Sequence, residues 1–63
     1  MKQQVNTKNG AYLVDTDAKT ISGPMLNGTV AYDRILMQMV GGQFIVELTG
    51  FGQKWLGQIK SVH

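Results

Sequence analysis

Ile35-Leu36-Met37-Gln38-Met39-Val40-Gly41-Gly42-Gln43-Phe44-Ile45-Val46-Glu47-Leu48 joins two apolar runs through a Gly-Gly pair, with Glu47 as its only charge. Read as a β-hairpin with Gly41 and Gly42 as the central turn residues, it pairs Val40 with Gln43, Met39 with Phe44, Met37 with Val46 and Ile35 with Leu48. Side chains alternate along a strand, so Ile35, Met37, Met39, Phe44, Val46 and Leu48 share one wholly apolar face. Leu36 and Ile45 fall on the other face among Arg34, Gln38, Gln43, Glu47 and Thr49. Apolar side chains on such a mixed face point to a second contact surface.

Thr29 to Val40 also fits an amphipathic helix, with Thr29 as N-cap and Gly41 just past the end. Tyr32, Ile35, Leu36, Met39 and Val40 would then face inward. The hairpin implies an all-β chain, and the helix implies α+β in the order β-β-α-β-β with the helix over 29–40. Met, Leu, Gln and Arg favour helix about as much as Ile, Val and Tyr favour strand. The hairpin is the expectation carried forward.

Working outward, Ala11-Tyr12-Leu13-Val14 reads as a first strand. The Asp-rich turn Asp15-Thr16-Asp17-Ala18-Lys19 then leads into Thr20-Ile21-Ser22. Gly23-Pro24 ends that second strand, because Pro cannot donate to a ladder. Asn27-Gly28 marks a turn before Thr29-Val30-Ala31-Tyr32, which begins the long central element. Gly50-Phe51-Gly52 makes the next break. Lys54 to Val62 reads as a closing strand in which Gly57 marks a bend or bulge. Five short strands, one of them long and bent, is the layout of a small SH3-like or OB-like barrel. Residues 1–9 are expected to be a flexible polar leader with Val5 as its single apolar anchor, leaving 10–63 as one small domain.

A chain of 63 residues supports one domain with a small core. Scaffolds of this size usually need a disulfide, a metal or self-association. With no Cys and with His63 as the single His, disulfides and Cys/His zinc sites are excluded. Homo-oligomerisation is the supplement that remains, and no metal or cofactor is expected. Asp33, Arg34, Gln38 and Glu47 interrupt every candidate membrane span, and the first residues lack the apolar run of a signal peptide. Together with the absent Cys this fits a cytoplasmic protein.

Asp15-Thr16-Asp17 opens like a calcium loop, but Lys19, Thr20 and Leu26 occupy the positions of the next ligand, the required Gly and the bidentate Glu. Gly50-Phe51-Gly52 opens like a dinucleotide-binding turn, yet Trp55 stands at the third Gly. The same tripeptide lies inside the RNA-recognition pattern, from which Thr49, Gln53, Lys54 and Leu56 depart. Asn27-Gly28-Thr29 fits a glycosylation acceptor, and reads better as a turn. No set of residues supplies a nucleophile with its base or a pair of carboxylates in distinct environments, so no catalytic residue is assigned.

The net charge of +2 arises from six basic and four acidic residues spread without a run. Small barrels hold single strands by stacking bases on aromatics beside Lys and Arg. Arg34, Phe51, Lys54, Trp55 and Lys60 are the residues assigned to such an interface, giving a non-enzymatic nucleic-acid-binding module of low sequence specificity. One alternative is a small protein-interaction regulator or inhibitor of the kind mobile elements and phages encode, gripping a protein partner through Leu36 and Ile45. A third is a self-assembling structural protein using the same face.

Overall fold

A computed structural model describes all residues 1–63 and contains only strands: β1 (Lys2–Thr7), β2 (Gly10–Asp15), β3 (Thr20–Ser22), β4 (Thr29–Met37), β5 (Gln43–Leu48) and β6 (Gly52–Val62). All neighbours are antiparallel, and each strand lies beside the next in sequence, with β6 returning to pair with β1 and close the ring. This up-and-down order has no Greek-key crossover of the OB kind. The stretch 29–40 is not helical: β4 occupies it as far as Met37.

The ring has six strands rather than five because residues 2–7, expected as a mobile leader, form β1. A strand here needs little apolar content: Gln3, Val5 and Thr7 share the inner face, and only Val5 is apolar. Val5 is fully buried, Thr7 nearly so and Gln3 half-buried, while Lys2, Gln4 and Asn6 alternate onto the other face. The Thr7 hydroxyl donates to the Gly10 carbonyl at 2.9 Å and accepts from the Asn9 backbone N–H at 3.1 Å. Both edges of β1 are paired, Val5 with Tyr12 on β2 and with Val62 on β6.

The central hairpin takes a different register from the expected one. β4 meets β5 through Tyr32↔Leu48, Arg34↔Glu47, Ile35↔Val46 and Met37↔Ile45, with irregularities between Tyr32 and Arg34 and between Ile35 and Met37. Each irregularity inserts one residue, Asp33 and Leu36, and shifts the inside-outside phase of the residues after it. Phe44, Val46 and Leu48 are buried as the alternation requires, and Ile35 packs against the core, but Met37 and Met39 are exposed. Gly41 and Gly42 do not form a two-residue hairpin turn. The Gly41 N–H donates to the Ile59 carbonyl at 2.9 Å and the Gly42 carbonyl accepts from Ile59 at 2.8 Å, so this loop docks its backbone on β6.

The core comprises Val5, Tyr12, Val14, Ile21, Tyr32, Phe44, Val46, Leu48, Leu56 and Ile59. Tyr12 and Phe44 meet edge to face with centroids 5.9 Å apart, a geometry worth ~1 kcal/mol beyond area burial. The Tyr12 hydroxyl is buried near the Met25 backbone without a partner at hydrogen-bond geometry, and burial pushes its pKa up. An orphaned buried hydroxyl costs stability. Tyr12→Phe is therefore expected to keep or raise the melting temperature. A fall in a thermal melt would mean that the hydroxyl bonds the Met25 backbone.

Candidate functional site: a groove at the loop end and an apolar sheet face

The up-and-down order sends the connections 8–9, 23–28 and 49–51 to one end of the ring. Connections 16–19 and 38–42 lie at the other end with both termini. The Asn9 side-chain amide ties the loop end together, reaching Met25 Sδ at 3.4 Å and the Leu56 carbonyl at 3.3 Å. At the opposite end Gln38 Nε2 donates to Gln3 Oε1 at 3.0 Å, and Asp17 faces the N-terminal ammonium.

An open groove of about 460 Å³ lies at the loop end, lined by Met25, Leu26, Asn27, Leu48, Phe51, Gln53 and Lys54. The β5–β6 turn, closed by the Phe51 N–H donating to the Leu48 carbonyl at 3.1 Å, leaves Phe51 83% exposed. None of the three connections at this end contains a carboxylate. Asp33 approaches them by accepting from the Thr49 hydroxyl at 2.7 Å. Lys8, in the turn beside Asn9, adds a second cation to this end.

The five residues assigned to a nucleic-acid interface do not converge. Phe51 and Lys54 meet at the groove. Trp55 is 59% exposed but pairs with the outward-facing Ile45, so it takes the opposite side of β6 from Lys54. Arg34 donates to Glu47 Oε1 at 3.2 Å on the outer face of β4 and β5, which neutralises it locally. Lys60 sits beyond the Gly57 bend, in the half of β6 that pairs with β1. The assigned contact residues Leu36 and Ile45 are both half-buried and are not cross-strand partners: Met37 takes the place beside Ile45, and Leu36 is the inserted residue. Met25 and Asn27 line the groove, and Lys8 stands in a turn at the same end, without a signal in the sequence. Lys8 falls in the stretch expected as a leader, and a loop's reach across a barrel mouth leaves no periodic pattern.

Asp15 anchors the β2–β3 turn at the far end, its Oδ1 accepting from Ala18 and Asp17 N–H at 3.1 Å each. Those donors, Ala18 first, hold its carboxyl below the usual range. This is the turn role, not the calcium role, of the Asp15-Thr16-Asp17 run. No group of three or more His, Cys, Asp or Glu residues is placed to hold a metal, and no helix is long and apolar enough to cross a membrane. Comparison with protein-family models, curated proteins and solved structures found no match to this chain.

Proposed function

We propose that this chain is a small non-enzymatic binding module that holds single-stranded nucleic acid, with low sequence specificity, at the loop end of its ring. The observation that carries this reading is Phe51, 83% exposed in a groove with Lys54 and no lining carboxylate. An exposed aromatic contributes roughly 1–3 kcal/mol per stacked base and accepts any base. Lys54, with Lys8 at the neighbouring turn, supplies phosphate attraction that needs no sequence. Arg34 contributes little to this attraction because Glu47 already neutralises it.

Fluorescence anisotropy with a labelled oligonucleotide of about 10 residues tests the reading. Binding is expected at ~50 mM salt and weakens steeply as salt is raised. Phe51→Ala is expected to weaken it by about 5- to 100-fold. Lys54→Ala lowers the slope of log K against log salt by about 0.7. No binding at low salt overturns the reading, and binding indifferent to Phe51→Ala removes the groove from it.

A further inference from the structure

The outer face of β4, β5 and β6 carries the row Met37, Ile45 and Trp55, cross-strand neighbours through Met37↔Ile45 and Ile45↔Trp55. Met37 is 41% and Trp55 59% exposed. An exposed Trp on an apolar row suits a contact surface, because Trp is among the residues that contribute most when a surface is covered. Two polar rows flank this one: Arg34, Glu47 and Gln53 toward the loop end, and the paired Gln43 and Gln58 on the other side. We infer that this face binds a second copy of the chain, giving an isologous dimer with Met37, Ile45 and Trp55 at its centre.

The face matches itself. A two-fold axis lying in the interface across the strands stacks Ile45 on Ile45 and Trp55 on Trp55. The same operation lays the Arg34 and Glu47 row over the glutamine row of the second copy. No like charges meet, and the one ion pair stays at the rim, where solvation keeps its cost low. Any heterologous partner would have to supply that match separately.

A standard interface removes about 800 Å² from each partner, roughly a fifth of the 3,819 Å² that this chain exposes. Three of the six strands contribute to the face. Sheet packing of this kind also suits a 63-residue domain whose own core is small. Phe51 and Lys54 lie off the face, which meets the groove only at Gln53, so variants at Phe51 test the nucleic-acid reading and variants at Met37 and Trp55 test the dimer.

Sedimentation and light scattering across the micromolar range test this, with the emission of Trp55, the chain's single Trp, as an internal reporter. The mass is expected to rise toward twice the 6.9 kDa of the chain as concentration increases, with Trp55 emission moving to shorter wavelength in step. Trp55→Asp and Met37→Glu are each expected to weaken the dimer by about 30-fold or more, while Phe51→Ala leaves it intact. Thermal melts confirm folding, and should Trp55→Asp unfold, Met37→Glu carries the same test from an exposed position. A monomeric mass with constant Trp55 emission overturns the inference and leaves the face to a different protein. A dimer that survives both substitutions in folded protein overturns it as well.

Discussion

Gly23→Ala is expected to bring the chain close to its unfolding midpoint at room temperature. A Cβ at this position would stand 2.2 Å from Tyr12 Cδ1, 2.7 Å from Cε1 and 2.9 Å from Cγ. None of these is the end of a flexible side chain: Tyr12 is fully buried and its ring packs edge-on against Phe44, itself fully buried. Overpacking of this kind costs about 3 kcal/mol or more when the neighbour cannot turn away. A domain of this size commonly has only ~3–5 kcal/mol in total. Urea melts should show a midpoint near zero denaturant for Gly23→Ala. A double-mutant cycle separates overlap from backbone effects: in a Tyr12→Ala background, held folded by an osmolyte, the added cost of Gly23→Ala should fall below about 1 kcal/mol. Equal costs in both backgrounds would show that Gly23 is required for its backbone, not for the space it leaves.

Tyr12 illustrates what a single sequence makes legible. Ala11-Tyr12-Leu13-Val14 reads as a strand from its residue types, and alternation places Tyr12 and Val14 on one face, which is the buried one. Nothing in the composition of Gly23-Pro24 says that the glycine is there to admit a ring from another strand. The turn residues of 15–19, 27–28 and 50–52 all mark true connections, because Asp, Asn-Gly and paired Gly act through local backbone chemistry. β1 escapes a reading by apolar content because a strand inside a closed ring can be satisfied by backbone pairing on both edges, with Val5 the one apolar residue among the inward positions Gln3, Val5 and Thr7.

The long β4–β5 pair shows the opposite limit. Period-two alternation is reliable only while the register is regular: the insertion at Asp33 brings Ile35 into phase with the buried Tyr32, and the insertion at Leu36 then moves Met37 from the expected core face to the outside. The hairpin reading therefore places an apolar contact beside Ile45 but attaches it to Leu36 instead of Met37. Phe51 is legible for a local reason, since an aromatic between two glycines in a turn has little to pack against. Its association with Lys54 requires only the neighbourhood in sequence. The opposite orientations of Lys54 and Trp55 come from the same alternation that the apolar runs display. The groove walls from 25–27 require the closed ring.

Closure itself depends on β6, which pairs with β5 through Gln53, Lys54 and Trp55 and with β1 through Ile59, Ser61 and Val62. Between those two pairings β6 carries a bulge that contains Gly57, the step from Trp55 to Gln58 being one residue longer than the opposite step from Ile45 to Gln43. Gly57 has φ +109°, a conformation that side-chain-bearing residues adopt only under strain of about 1–3 kcal/mol. A Cβ there would also lie 2.6 Å from Asn9 Nδ2, the group that donates to the Leu56 carbonyl. Losing that bond adds about 1 kcal/mol. Gly57→Ala should therefore cost ~3 kcal/mol, comparable with the whole stability of such a domain, and it should loosen both pairings of β6 together. The two causes respond differently to a second change. Asn9→Ala removes the collision and the hydrogen bond but leaves the backbone strain, so in its background Gly57→Ala should still cost about 1–3 kcal/mol. Hydrogen exchange supplies the spatial readout: the Lys8 and Ile59 amides, which donate to Gln58 and Gly42 at 3.0 and 2.8 Å across the bend, should lose protection first in Gly57→Ala. Unchanged protection at both amides would place the bend of β6, and with it the closure of the ring, under the control of the flanking side chains instead of Gly57.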